Sequence, residues 1–224
     1  MSIGPNDAVA AFLAACRPAD LDGLIASAAE LYRLLEEYNR HTNLTRITDA
    51  SEFWNKHVAD SLAIGRFFPE LQTERYAVAD IGCGAGFPAL ILALAYPQLQ
   101  LTAIDSIGKK TAFVAEAAVK LGLTNLHTVT GRSREMIHQA AWQEKFDLVT
   151  ARAVADARTI FRESRAMLRP DGGYILYQTP VQAAEELPQV AAASEKYGWH
   201  WTASPEFELP DHGGARVFIS SRRH

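Results

Sequence analysis

The chain has 224 residues, of which 48% are hydrophobic and 21% are charged, and its formal net charge at pH 7 is −4. This composition is typical of a globular protein with one core and some appendages, and it excludes a disordered or fibrous chain. The slight excess of acids excludes a protein that coats nucleic acid indiscriminately, but it is compatible with a local basic face.

The sequence predicts no targeting segment and no membrane segment. No apolar run reaches the ~18 residues that suggest a bilayer span, and the first ten residues contain no basic stretch that leads into an apolar one. The two cysteines, Cys16 and Cys83, lie far apart and indicate neither a disulfide framework nor a zinc site. We therefore expect a cytoplasmic protein that contacts no membrane and binds no metal.

The first third of the chain predicts a helical layer. Asp20 is a favourable helix N-cap, and apolar residues recur after it at three- and four-residue steps from Leu21 to Tyr38, as on one face of a helix. A second helical stretch is predicted at residues 53–68. We expect residues 1–75 to form a helical extension that packs on a domain formed by residues 76–224.

Strands and helices alternate regularly after this extension. Strands are predicted at residues 76–81, 99–105, 126–130, 146–151 and 174–178, and helices at residues 87–96 and 109–121. Alternating elements of these lengths imply right-handed crossovers and a parallel sheet, which is an α/β fold.

The last part of the chain predicts an antiparallel addition to this sheet. A turn is expected at residues 169–173, before the fifth strand. Residues 199–204 and 216–221 are then expected to pair antiparallel around the turn-rich segment 210–214.

A glycine-rich turn follows the first predicted strand, in the string VADIGCGAGFP at residues 78–88. The missing side chains at Gly82 and Gly84 let backbone N–H groups approach a ligand closely. Asp105 ends the next strand, where a carboxylate can accept hydrogen bonds from both hydroxyls of a ribose. Together these features predict a nucleoside-binding crevice.

The spacing of the glycines indicates which nucleoside is bound. The dinucleotide fingerprint requires a third glycine where Phe87 stands, so NAD is disfavoured. A G-x-G-x-G turn that ends in an aromatic residue resembles the first motif of class I S-adenosylmethionine-dependent methyltransferases. Their Rossmann-like fold has a mostly parallel sheet with a C-terminal antiparallel hairpin, as predicted here. The alternative interpretation is a strand-to-helix turn that binds nothing.

Several strings, in order along the chain, resemble the glucose-inhibited division protein B family, the bacterial ribosomal small-subunit methyltransferases G. They are Asn43-Leu44-Thr45, His57-Val58-Ala59-Asp60-Ser61, residues 80–88, Asp105-Ser106-Ile107-Gly108-Lys109-Lys110 and Thr150-Ala151-Arg152-Ala153. The resemblance implies methylation of N7 of one guanine in the decoding region of 16S rRNA, with S-adenosylmethionine as cofactor. The implied partner is 16S rRNA or the 30S subunit, and we expect the protein to act as a monomer.

The resemblance and the predicted strand ends together give the candidate site residues. Cofactor binding is expected at Asp80, Gly82, Gly84, Phe87, Asp105, Ser133, Arg134 and Arg152, and contacts with substrate or phosphate at His57, Lys109, Lys110 and Arg132. Guanine N7 carries a free lone pair, so no general base is expected, and positioning of the reactants supplies the catalysis. A structural role remains open for Phe87 in the core and for His57 as a helix brace.

The chain departs from the family pattern at two strand ends. The family usually has Arg-Ala-Glu after the third strand and Leu-Lys-Gly at the end of the fifth. This chain instead has Arg132-Ser133-Arg134 and Tyr177-Gln178-Thr179. Two alternatives therefore remain open: a methyltransferase of the same fold that acts on a small molecule or a protein, and a catalytically weak assembly factor that binds rRNA.

Overall fold

A mixed sheet forms the centre of the computed structural model, which describes residues 3–42, 44 and 49–223. Seven strands of the described chain follow the order β3-β2-β1-β4-β5-β8-β6, and β7 pairs with β8 beside this path. The strands are β1 (Ala77–Ile81), β2 (Gln100–Asp105), β3 (Leu126–Thr130), β4 (Phe146–Arg152), β5 (Leu168–Gln178), β6 (Trp199–Ala203), β7 (Phe207–Glu208) and β8 (Ala215–Arg223). Strands β1 to β5 are parallel, and β8 runs antiparallel between β5 and β6. The predicted parallel sheet and C-terminal hairpin are therefore confirmed.

Helices cover both faces of this sheet. They are α1 (Asp7–Ala15), α2 (Leu21–Thr42), α3 (Ala50–Glu52), α4 (Asp60–Leu62), α5 (Ile64–Phe67), α6 (Ala89–Ala95), α7 (Gly108–Lys120), α8 (Ser133–Met136), α9 (Ala157–Ser164) and α10 (Pro180–Ser194). Helices α2 and α4 pack on α6, while α10 packs on α9, β6 and β8. Among the described residues, no helix combines the length and apolarity of a membrane span.

The helical layer begins where the sequence predicts it. Asp20 accepts a hydrogen bond of 3.0 Å from the backbone N–H of Gly23, and α2 starts at the next residue after Asp20. The stretch predicted at residues 53–68 is helical, but it contains a π-helix, Phe53–Ala59, between α3 and α4. A π-helix is rare and is frequently found at a functional site.

One prediction about the fifth strand needs correction. The residues expected to form a turn before it, 169–173, lie within β5. The pairing of β5 with β4 is nevertheless irregular there. Phe146 of β4 pairs with Leu168, whereas Leu148, two residues later, pairs with Gly173. Pairing is regular from Gly173 onward, so the end of β5 is aligned with the end of β4.

The helical layer and the sheet share one apolar cluster. Leu31 of α2, Trp54 of the π-helix, Phe87 and Leu90 belong to it, and each is at most 5% exposed. Leu44, from the string Asn43-Leu44-Thr45, is buried in the same cluster, whereas Asn43 and Thr45 lie outside the described residues. Burial of each large aliphatic or aromatic side chain contributes about 1.5–3 kcal/mol. This packing fixes the helical layer against the loop that follows β1.

Candidate functional site

A cleft of about 550 Å³ opens at the carboxyl ends of β1 to β4. The strand order reverses between β1 and β4, and ligands of open α/β sheets bind at such a switch point. The cleft is lined by Ile81, Gly82, Ile104, Asp105, Ser106, Ile107, Lys110, Gly131, Arg132, Ser133, Arg134, Ala153, Val154 and Glu163. Of the predicted site residues, the cleft thus brings together Gly82, Asp105, Lys110, Arg132, Ser133 and Arg134.

The glycine turn after β1 is held against the end of β2. The backbone N–H groups of Gly82 and Cys83 both donate to the carbonyl oxygen of Ile104, at 2.7 and 3.0 Å. Gly82 has φ +68°, and a Cβ there would lie 2.4 Å from a methyl group of Val154. Only glycine fits this position, because both the backbone conformation and the space exclude a side chain.

Asp105 faces the cleft from the end of β2 and is 7% exposed. Its Oδ2 accepts a hydrogen bond of 3.0 Å from the N–H of Gly84, and its Oδ1 accepts one of 2.9 Å from the N–H of Ile107. The ammonium of Lys110 lies 3.7 Å from Oδ2. Since a carboxylate offers about four lone-pair sites, Asp105 retains capacity for two further donors such as ribose hydroxyls.

Asp80 lies beneath the turn, and its side chain does not line the cleft. It is fully buried and accepts hydrogen bonds from the N–H of Ala89, at 3.2 Å, and the hydroxyl of Thr150, at 3.4 Å. Burial raises the pKa of Asp80 to about 7. The bond to Ala89 links the end of β1 to the start of α6 across the turn, and the bond to Thr150 ties β1 to β4. Direct contact of Asp80 with a cofactor stays a prediction.

The end of β3 supplies the cationic wall of the cleft. Ser133 begins α8 and is buried, whereas the side chains of Arg132 and Arg134 are more than half exposed. Both guanidinium groups approach Glu135 only at 3.9 Å. Arg132, Arg134 and Lys110 therefore place positive charge on the lining of the cleft, where it is available to an anionic ligand.

Arg152 belongs to a different cluster, at the junction of the sheet and the helical layer. One of its Nη atoms donates to the carbonyl oxygen of Lys56 and to Oδ2 of Asp60, both at 2.9 Å, and the other lies 3.3 Å from Nδ1 of His57. The other carboxylate oxygen of Asp60 accepts from Nε of Arg216 at 3.1 Å. Asp60 is 5% exposed, so one buried carboxylate joins β4, β8 and the helical layer.

His57 and Phe87 extend this junction to the glycine turn. Their rings stack with centroids 4.1 Å apart and an angle of 7° between the planes. Burial, together with the charges of Arg152 and Lys56, lowers the pKa of His57 to about 3, so its imidazole is neutral. Phe87 is 5% exposed and packs on this ring rather than lining the cleft. Contacts of His57, Phe87 and Arg152 with ligands stay predictions.

Gly84 and Lys109, the remaining predicted residues, do not line the cleft. Gly84 contributes its N–H to Asp105, and its side-chain position is open, with no atom closer to a Cβ than 3.9 Å. Lys109 is exposed in the first turn of α7, outside the lining of the cleft. Across residues 3–42, 44 and 49–223 no group of three metal-ligating side chains occurs.

Sequence reasoning missed several residues of this region. Arg216 binds Asp60 from a strand that lies 156 positions away along the chain, and no local motif marks that pairing. Ile107 and Val154 line the cleft with exposed apolar side chains, and Glu163 reaches it from α9. The positions of Ile107 and Val154 immediately after strand ends are the signal by which they could have been found.

Comparisons with known proteins agree on one family. A family model described as rRNA small subunit methyltransferase G matches residues 24–207. The Ribosomal RNA small subunit methyltransferase G of Limosilactobacillus reuteri (strain DSM 20016) is 40% identical over 183 residues, which cover 81% of this chain and 76% of the relative. The protein of the same name from Gloeobacter violaceus is 37% identical over 194 residues, covering 86% of this chain and 76% of the relative.

Solved structures share the fold at much lower identity. The YcgJ protein from Bacillus subtilis has a TM-score of 0.56 and 16% identity, over 72% of this chain and 97% of that one. A SAM-dependent methyltransferase from Aquifex aeolicus has a TM-score of 0.52 and 16% identity, over 71% and 88%. Both agree with a class I methyltransferase fold that is preceded by helices.

Proposed function

Because the chain belongs to the rRNA small subunit methyltransferase G family, it is an S-adenosylmethionine-dependent methyltransferase of 16S rRNA, and we propose that its acceptor is N7 of one guanine in the decoding region. The observation that carries the proposal is the pairing of Asp105 with the glycine turn, at the edge of a cationic cleft.

The residues of the cleft fit the cofactor. A volume of about 550 Å³ lies within the range of ~300–1,000 Å³ for pockets that hold small ligands. The carboxylate of Asp105 has free lone pairs for the ribose hydroxyls, and the Gly84 N–H fixes its orientation. Ile107 offers apolar surface next to Asp105, and Ser133 lies on the β3 side, where we propose that the adenine is held.

The chemistry of guanine N7 requires positioning rather than proton removal. When bound, S-adenosylmethionine supplies a sulfonium-linked methyl group, whose C–S bond breaks as a bond to the N7 lone pair forms and the positive charge passes to the guanine. N7 is a hydrogen-bond acceptor on the major-groove edge of the base, so no base is needed to free it. His57 is accordingly assigned no proton transfer, because its Nδ1 faces Arg152 and its ring is stacked on Phe87. Holding two reactants in line supplies roughly 7 kcal/mol or more of the barrier reduction.

The cationic rim is assigned to the rRNA backbone. Lys110, Arg132 and Arg134 line the cleft, and Lys109 is exposed beside it. Lysine and arginine contacts with phosphates position a nucleic acid without reading its sequence. The net charge of −4 for the whole chain then implies that binding depends on this local patch and on the shape of the folded RNA.

We further propose that the substrate is the 30S subunit or a precursor of it, and that the protein acts as a cytoplasmic monomer. Recognition by shape favours RNA that is already folded on ribosomal proteins, and free 16S rRNA is then the poorer substrate.

The open form of the cleft disfavours the small-molecule alternative, which predicts a closed apolar pocket under the helical layer. The helical layer instead packs on α6, and charged side chains line the cleft. The departure at Gln178 gives no specific support for an assembly factor, because this side chain is 7% exposed and donates to Glu186, away from the cleft.

The proposal is tested with 30S subunits from a strain that lacks the endogenous enzyme. The purified protein is incubated with labelled S-adenosylmethionine and these subunits, and the modified nucleotide is mapped by nuclease digestion and mass spectrometry. We expect one label per subunit, on N7 of a decoding-region guanine, and much less label with an Asp105→Ala variant at the same concentration of S-adenosylmethionine, because its cofactor affinity is lower. Label on another atom, or equal turnover of a small molecule without RNA, would refute it.

A further inference from the structure

We propose that Val154 contacts the acceptor guanine and holds it at the methyl-transfer end of the cleft, an inference that rests on the proposed function. Val154 follows β4 and lines the cleft, and its side chain is 45% exposed. Its exposure, its position along the sheet edge and the anchoring of its backbone support this role.

Exposure distinguishes Val154 within the cleft. Charged or polar groups make up much of the lining, including Asp105, Lys110 and Glu163. Among the described residues, the large apolar side chains that both line the cleft and are clearly exposed are Ile107, at 42%, and Val154. Apolar surface left open in a concave site is surface that a bound ligand can cover.

Position along the sheet edge separates the roles of these two residues. The strands end in the order β3, β2, β1, β4, so Ser133, Ile107 with Asp105, Gly82 and Val154 lie in that sequence across the cleft. A cofactor whose ribose is bound at Asp105 and whose adenine lies toward Ser133 directs its methyl group toward β1 and β4. Ile107 is then on the adenine side, and Val154 is on the side where the acceptor must enter.

The backbone fixes Val154 in this place. The preceding residue, Ala153, has φ +53°, a left-handed conformation that alanine rarely adopts and that often marks a functional site. The segment is anchored before it by the bonds of Arg152 to Asp60, and after it by Asp156, which caps α9 through the N–H of Thr159 at 2.9 Å. The methyl groups of Val154 lie directly over Gly82. The backbone that carries Val154 is therefore anchored on both sides before any ligand binds.

An isopropyl group suits an acceptor that presents a lone pair. It packs on the flat face of a purine without offering a hydrogen bond that competes for N7, and it excludes water from beside the methyl group. The contact is made with the base and not with the cofactor. Its loss should therefore lower transfer to the RNA and leave cofactor affinity unchanged.

The test compares Val154→Ala with Val119→Ala, the same substitution at an 80% exposed position on α7, outside the cleft lining. The values of kcat and KM are measured with 30S subunits at saturating S-adenosylmethionine, and the Kd of the cofactor by calorimetry. For Val154→Ala we expect kcat/KM for subunits to fall about tenfold, since two methyl groups lose their contact with the base, with a cofactor Kd within about twofold of wild type. Val119→Ala should match wild type in both.

A second variant makes the separation of roles sharper. Ile107→Ala should raise the cofactor Kd, which is the quantity that Val154→Ala is expected to leave unchanged. An unchanged kcat/KM in Val154→Ala would overturn the inference, and so would a cofactor Kd that rises as much as kcat/KM falls. If the unsubstituted protein failed to methylate subunits, the proposed function would be refuted first, and the inference with it.

Discussion

Replacing His57 with phenylalanine removes a titrating group from the junction but keeps an aromatic ring on Phe87. The two rings of the native pair are 4.1 Å apart and nearly parallel, so a phenyl group can occupy the same place. Burial, with the charges of Arg152 and Lys56, lowers the pKa of His57 from 6.5 to about 3, while the opposite charge of Asp60 is engaged by two arginines. The folded protein therefore holds the imidazole neutral.

The sign of the pH effect follows from this lowered pKa. The unfolded chain binds a proton at His57 below pH 6.5, whereas the folded chain does not bind it until about pH 3. The stability contributed by the neutral imidazole is thus complete above pH 6.5 and is lost as the pH falls toward 3. Each pH unit below 6.5 costs about 1.4 kcal/mol of the free energy of unfolding. Between pH ~7.5 and ~4.5 the loss is roughly 3 kcal/mol, because only the part of this range below pH 6.5 contributes.

Urea unfolding at these two pH values measures the effect. We expect the His57→Phe variant to lose about 3 kcal/mol less of its unfolding free energy than wild type between pH ~7.5 and ~4.5. A fixed offset from the lost contact with Arg152 does not change this difference. His138→Phe, at an exposed position, serves as the matched control and should follow wild type. A gap between wild type and His57→Phe that stays constant with pH would show that His57 is not held neutral.

Three other substitutions have defined outcomes. Asp105→Ala should weaken S-adenosylmethionine binding by about 1.5–3 kcal/mol in calorimetry, because a charged acceptor for the ribose is lost, and unchanged affinity would contradict that assignment. Asp60→Asn should lower the free energy of unfolding, measured in urea, by about 3 kcal/mol, because Arg152 and Arg216 lose the charge that they share. A loss below about 0.5 kcal/mol would show that these ion pairs do not stabilise the fold. Gly82→Ala should be destabilised by ~1–2 kcal/mol from backbone strain alone and should lose activity, since its Cβ displaces the residue above it; a stable, fully active variant would refute this geometry.

Local patterns sufficed for the sheet and the turn. The third strand was predicted at residues 126–130, which are those of β3, in a segment rich in β-branched residues between Gly122 and Gly131. Asp105 and Gly82 were predicted to meet because parallel strands end at one edge of the sheet, and both line the cleft. By contrast, Pro188 within α10 obscures the helical pattern of that segment, for which no element was predicted.

Contacts between distant segments were not predictable from local patterns. The bond of the Arg152 guanidinium to Asp60, 92 positions away, was not predicted, and contact of Arg152 with the cofactor stays a prediction. Asp80 was expected at the cofactor because it lies on the strand before the glycines, and that contact stays a prediction. Its bonds to Ala89 and Thr150 were not predicted, because β1 is buried on both faces and alternation along it does not show which way a side chain points. The π-helix has no distinguishing signal in the sequence, although it presents Lys56 and His57 to Arg152.

A crystal structure of the protein with S-adenosylhomocysteine tests the central claim most directly. The account predicts that both ribose hydroxyls donate to the carboxylate of Asp105, beside the N–H of Gly84, with the sulfur directed toward Val154 at the end of β4. A ligand bound elsewhere, or none at this cleft at saturating concentration, would contradict it.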